Sequence, residues 1–200
     1  MVMFMNSSNL KGKELPKTSE LKELYQHERY RHTFWRTVKS TVFMLVVVAA
    51  FAILIAVLFL PILRIYGDSM KGTLNSGDIV VSVKSNDFES SDVVAFYYNN
   101  NILVKRVIAE AGDWVDMDKQ GNVYVNNQRL DEPYLANRDY GHTDIEFPYQ
   151  VPENRIFVMG DNRKESIDSR NNAIGTVSNE QIVGKLVFKI WPLSELGWIE

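Results

Sequence analysis

Ser69, in Gly67-Asp68-Ser69-Met70, is the hydroxyl of interest in this chain, and the first question is which base could activate it. A serine attacks a carbonyl only when a neighbour takes its proton. The chain has 3 histidines, His27, His32 and His142, and no cysteine. His27 and His32 precede a long apolar run while Ser69 follows it, so a Ser-His-Asp triad would rest on His142 alone, in a polar, loop-like stretch. The lack of cysteine excludes disulfides, a thiol nucleophile and a thiolate metal site. A single histidine is also poor ground for a metal site, so neither metal nor cofactor is expected. Lysine is the alternative base. Its amine must be neutral, which requires a desolvated site that lowers the pKa from ~10.4 toward ~7–8. Lys105 stands out, embedded in Ile102-Leu103-Val104-Lys105-Arg106-Val107-Ile108. On a strand, Leu103, Lys105 and Val107 share one face and Arg106 points to the other, so one of the two basic residues turns toward the core. Lys84, Lys185 and Lys189 also interrupt strands, where a lysine ordinarily faces solvent. A third constellation runs from Gly160 through Asp161, Asn162, Arg163, Ser166 and Asp168 to Arg170. It reads either as a solvated charged loop after a strand or as a shell of hydroxyls and opposite charges that orients a lysine.

The elements that must position these residues follow from the texture of the chain. Val42 to Leu63 carries no charged side chain. At ~1.5 Å per residue it reaches ~33 Å, about the thickness of a bilayer's hydrocarbon core. Six further residues extend at most ~20 Å, so Ser69 works close to a membrane surface. Residues 1–40 hold eight Lys/Arg against four Asp/Glu, and the rest of the chain is acidic. The positive-inside rule then predicts a cytoplasmic leader over 1–40, a transmembrane signal-anchor helix over 41–63 and an extracytoplasmic domain over 64–200. The long leader and long apolar run argue against a cleavable signal peptide. The leader's mixed charge speaks for topology and membrane-surface attraction, not nucleic-acid binding. A cysteine-free outer domain fits a bacterium better than a eukaryotic secretory lumen.

Residues 1–20 are polar and patternless and predict disorder; Leu21–Ser40 predicts a helix running into the span. Beyond it, strands are predicted at 78–84, 92–98, 102–109, 122–126, 155–159 and 181–190, rich in Val, Ile, Tyr and Phe and bounded by Gly, Asn and Asp. The outer domain is therefore mostly β. Residues 131–152 are polar, aromatic and turn-rich, a surface excursion or small accessory lobe. Trp191 and Trp198 near the C-terminus either close the core or dock on lipid headgroups.

Order and spacing of Gly67-Asp68-Ser69-Met70, Gly77-Asp78-Ile79-Val80-Val81, Val104-Lys105-Arg106-Val107-Ile108 with Gly112-Asp113, Gly160-Asp161-Asn162-Arg163 and Ser166-Ile167-Asp168-Ser169-Arg170 resemble bacterial type I signal peptidases, especially the short Gram-positive forms. Val123-Tyr124-Val125-Asn126 and Leu130-Asp131-Glu132-Pro133-Tyr134-Leu135 extend the resemblance, which covers most of Arg64 to Trp191. It implies a membrane-bound serine endopeptidase with a Ser–Lys dyad on a β-rich, barrel-like fold after one transmembrane helix. It implies that Ser69 is the nucleophile, Lys105 the general base and Ser166 the hydroxyl that positions the amine. Asp168 with Arg170, and Arg106 with Asp161, match structural ion pairs, and the Ser69 backbone N–H matches an oxyanion donor. The implied partners are secreted preproteins, bound extended before an Ala-X-Ala cut, and the lipid bilayer. The chain departs from the pattern at Gly72, where many members have proline, at Gly67, where some supply a serine hydroxyl, and at Glu110-Ala111. A signal-peptidase-like assembly factor without peptidase activity is the alternative; a self-cleaving repressor would need a DNA-binding domain in place of the span.

Overall fold

The computed structural model describes residues 18–85 and 87–199. It divides into two units, one ending at Leu54 and the other beginning at Ile55. The predicted disorder of residues 1–17 lies outside the described residues, and residues 18–20 are helical.

Helix α1 spans Thr18–Phe59. Its stretch from Arg29 to Ile55 is long and apolar enough to cross a membrane. The described side chains from Val42 to Ile55 are exposed, so no protein core covers them. The expectation of helix to residue 63 is corrected, because α1 stops at Phe59 and Ile62–Arg64 is a strand. Pro61 explains the stop: its ring disfavours α geometry in the residue before it, and it has no N–H to donate. Apolar composition did not distinguish the last residues of the run from that strand.

Eleven further strands follow β1 (Ile62–Arg64): β2 (Ile79–Val83), β3 (Val93–Tyr98), β4 (Asn101–Ala109), β5 (Trp114–Met117), β6 (Val123–Val125), β7 (Gln128–Arg129), β8 (Tyr149–Gln150), β9 (Arg155–Met159), β10 (Val177–Ser178), β11 (Ile182–Trp191) and β12 (Gly197–Trp198). The larger sheet runs β1-β2-β11-β3-β4-β9-β10, with β12 beside β11; the smaller runs β7-β6-β5-β8. The unit is mostly β.

Three apolar clusters hold these layers. Ile65, Met70, Leu74, Val80, Val93, Ala95 and Leu186 pack under the Ser69 turn. Val94, Phe96, Val107 and Val158 fill another cluster, and Ile108, Val115, Val123 and Phe157 join the smaller sheet to β4 and β9. The register pairs Lys105 with Val94 and Arg106 with Val93, so consecutive basic residues face opposite sides of β4. Both faces are covered there. Lys105 is 3% exposed and Arg106 0%, so both turn inward, not one alone.

The excursion at 131–152 is more than surface. It ends in β8 of the smaller sheet, and its Glu132 is buried. Its backbone is tied to the following loop, where Arg170 Nη1 donates to the Tyr140 carbonyl at 3.0 Å and the Asp144 N–H donates to the Arg170 carbonyl at 3.0 Å.

Candidate active site

Ser69 sits at the start of a turn whose apolar residues lock it down. Met70 and Leu74 are buried, and the Leu74 N–H closes on the Met70 carbonyl at 2.8 Å. The loop after β9 grips the same turn from outside. Asn162 donates its N–H to the Ser69 carbonyl at 3.0 Å and its Nδ2 to the Asp68 carbonyl at 3.1 Å. Gly160 permits that approach: a Cβ there would lie 2.5 Å from the Ser69 carbonyl oxygen and would run into the Ser166 side chain. Side chains cannot be packed that closely without backbone movement.

β4 delivers Lys105 to this turn. Its Nζ donates to Ser69 Oγ at 2.7 Å. Burial pushes the amine down to about 8; Asp168 and Asp161 pull it back upward, and Arg170 opposes them. Lys189 on β11 is an instructive contrast. It is also buried, but its Nζ lies 3.0 Å from Asp78 Oδ2 and 2.9 Å from Glu195 Oε2 and donates to the Thr73 carbonyl at 3.1 Å. Burial alone would lower its pKa; the two carboxylates outweigh that and raise it. Lys189 is thus held as a cation, a clamp on the turn that follows Ser69, and cannot serve as a base at neutral pH. Lys185 pairs with Asp92 at 2.5 Å, and Lys84 is exposed. Of Lys84, Lys105, Lys185 and Lys189, Lys105 alone is buried without a direct carboxylate contact among the described residues.

His142 is exposed, and the hydrogen bond at Ser69 Oγ comes from Lys105. The Ser69 N–H has no acceptor among the described residues and is free to donate to an incoming oxygen.

Charged pairs brace the dyad from behind. Asp168 accepts from Arg170 Nε and Nη2, both at 2.8 Å, and from the Gly160 N–H at 2.9 Å. Burial would raise its carboxyl pKa, and these donors, Arg170 foremost, reverse that and hold it below the ordinary value. Arg106 donates Nε and Nη2 to Asp161 at 2.9 and 2.8 Å and stacks 3.8 Å from the Tyr134 ring centre. Thr73 Oγ1 donates to Asp161 Oδ2 at 2.6 Å, which couples the Ser69 turn to this pair. Ser166 Oγ is buried, makes no hydrogen bond to Lys105, and lies near enough to Asp168 to help hold that carboxyl down. The orienting bond to Lys105 implied by the resemblance is therefore not made in this arrangement.

Sequence reasoning missed the Glu132–Arg163 ion pair, buried at both ends, and the Lys189 clamp. Glu132 lay in a polar stretch that concealed its burial. Lys189 carried a signal, apolar neighbours in Phe188 and Ile190, that nothing distinguished from an outward strand lysine.

A groove of about 630 Å³ opens at Ser69. One wall is Leu63–Gly67, and the other is Asn100–Lys105. β4 pairs with β9 only from Arg106 onward, and β1 ends the larger sheet, so both walls present unpaired strand edges.

A buried lysine hydrogen-bonded to a serine on a β scaffold is the arrangement that a serine peptidase of the Ser–Lys type would use. Residues 35–191 match the family described as "Signal peptidase, peptidase S26". Signal peptidase I S of Bacillus subtilis (strain 168) is 36% identical over 165 residues, 72% of this chain and 89% of that protein. Signal peptidase IB of Staphylococcus aureus (strain COL) is 39% identical over 152 residues, 66% and 78% of the two chains. The crystal structure of a signal peptidase I from Enterococcus faecalis is 30% identical, covers 50% of this chain and 97% of that one, and aligns with a TM-score of 0.44. The chain belongs to the signal peptidase family, peptidase S26, and is a serine endopeptidase.

Proposed function

We propose that this protein removes N-terminal signal peptides from secreted preproteins at an outer membrane-facing surface, with Ser69 as nucleophile and Lys105 as general base. The observation that carries the reading is the 2.7 Å hydrogen bond from a buried Lys105 to Ser69 Oγ. Neutral Lys105 takes the hydroxyl proton as Ser69 Oγ attacks the scissile carbonyl. The oxyanion forms at the Ser69 N–H, the peptide C–N bond breaks, and the departing amine takes the proton. Water, activated by the same lysine, then releases the acyl group from Ser69. The presence of both dyad members in hydrogen-bond contact argues against an inactive assembly factor.

The groove explains why the substrate would bind extended. A strand laid between the free edges at Leu63–Gly67 and Asn101–Val104 can pair its backbone with either wall, and alternate side chains then point down. Small residues at the first and third positions before the cut fit that alternation. Asp168–Arg170 and Arg106–Asp161 are assigned to holding the two motifs in place.

Anchoring follows from α1. Its uncharged stretch from Val42 onward, without protein cover over the described side chains to Ile55, is stable in lipid. The basic leader supports a cytoplasmic location for residues 1–40 and an outer one for residues 64–200. The exposed Trp191, Leu193, Leu196 and Trp198 suit contact with the lipid interface. A substrate whose apolar segment is still in the bilayer is held at the same surface, which raises effective concentration.

The test is cleavage of an Ala-X-Ala preprotein by the full chain in lipid vesicles. Cleavage after the second Ala, lost when that Ala becomes Phe, is expected; failure to cut at the Ala-X-Ala site contradicts the reading. Ser166 is assigned to steering the Lys105 amine during turnover. Ser166→Ala is expected to lower kcat about ten- to hundredfold, the effect of one buried hydrogen bond. Its unfolding midpoint should fall only slightly, because the Asp168 carboxylate beside the hydroxyl keeps its donors from Arg170 and Gly160. An unchanged kcat would remove Ser166 from this role.

A further inference from the structure

A second cavity, of about 670 Å³, begins where the first groove ends. The groove includes Ser69 and Met70; this cavity starts at Lys71, and the two share no lining residue. Its wall is fixed to the nucleophile, since Asn162 holds the Asp68 and Ser69 carbonyls. Gly72 lies in its lining with φ of +117°, and a Cβ added there would meet only the Tyr134 carbonyl oxygen, at 3.7 Å. The departure from proline at this position therefore falls in the wall of a cavity beside the nucleophile.

The charges that line it do not balance. Asp161 is neutralised by Arg106, and Arg163 by Glu132. Asp139 accepts the Gly141 N–H at 2.7 Å. Lys71 and Lys164 are exposed and have no ion-pair partner among the described residues. Two free cations thus face one partly engaged carboxylate.

Resting on the peptidase reading above, we infer that this cavity receives the first residues of the mature chain, those just after the cut, and favours acidic side chains there. The chemistry demands two sites flanking Ser69. When the C–N bond breaks, the acyl half stays on Ser69 Oγ in the groove with the free strand edges. The half that leaves as an amine, protonated from Lys105, must lie beyond the turn, where Lys71 and Lys164 wait.

The test uses two peptides, identical except for Glu or Lys at the second residue after the cut, and the full chain in zwitterionic vesicles. At low salt the Glu peptide is expected to have a kcat/KM about five- to tenfold higher, shrinking as salt screens the pair. In the double variant Lys71→Glu/Lys164→Glu the preference should invert, and a ratio measured on one preparation is insensitive to its folded fraction. A ratio near one in the native protein, or the same ratio in the variant, overturns the inference. Cleavage of neither peptide overturns the peptidase reading and this inference with it.

Discussion

Ser69→Ala and Lys105→Ala are each expected to reduce cleavage of an Ala-X-Ala preprotein to background. Members of a nucleophile–base unit act together, so loss of either costs on the order of 10⁴–10⁶ in kcat. Lys105→Ala is the sharper of the two because it leaves the Ser69 hydroxyl untouched while taking away the amine 2.7 Å from it. Lys105→Arg should be equally inactive, since a guanidinium stays protonated and cannot accept the serine proton. Folding is a separate matter. Lys105 is 3% exposed and carries an amine whose burial is unfavourable to its charge. Lys105→Met keeps most of the volume without that charge, so its unfolding midpoint should equal or exceed that of the native protein while activity is lost. Turnover by purified Ser69→Ala or Lys105→Ala protein would remove the dyad from the mechanism.

Asp168→Ala is expected to be the most damaging single change to stability among the residues around the site. Asp168 and Arg170 are both fully buried, and the carboxylate takes two hydrogen bonds from the guanidinium and one from Gly160. Removing one partner leaves a buried, uncompensated cation, a loss of about 3–5 kcal/mol. That is a large part of the roughly 5–15 kcal/mol by which a domain is stable. It also frees the Gly160 N–H, next to the Ser69 and Ser166 contacts. Urea unfolding of the full chain in detergent measures the loss. The double variant Asp168→Ala/Arg170→Ala should lose less than the two single losses combined, because neither charge is then stranded. Additive losses would mean that the pair is not coupled. The sign with pH follows from the depressed carboxyl pKa: this stabilisation is complete above the unfolded value of ~3.9 and is lost as pH falls through the lower folded value.

The site was more legible in the sequence than the frame that holds it. Ser69 and Lys105 were nameable because a neutral lysine needs apolar neighbours, and Lys105 has them on its own face of β4. The five longer strands, β2, β3, β4, β9 and β11, were visible because β-branched and aromatic runs between turn residues carry their own signal, and the three-residue β6 was caught between its turn residues. The other short strands were not, because two to four residues such as Gln128–Arg129 hold no period. The boundary near Pro61 was blurred because one apolar run supplies both the end of α1 and the start of β1. Arg106 and Lys105 were expected to divide between core and solvent; a strand covered on both faces buries both. Glu132 and Lys189 were invisible for a common reason. Their burial depends on partners far away in sequence, Arg163 for one, Asp78 and Thr73 for the other, and local pattern carries no trace of such pairs.

If Lys105 works as a neutral amine, the pH dependence of kcat/KM for preprotein cleavage follows its titration. An ammonium cannot accept the Ser69 proton, so the rate should climb about tenfold per pH unit and level off above a midpoint near the amine's pKa of about 8. A midpoint near 6.5, the ordinary range of histidine, or near 10.4, that of a solvated lysine, would contradict it.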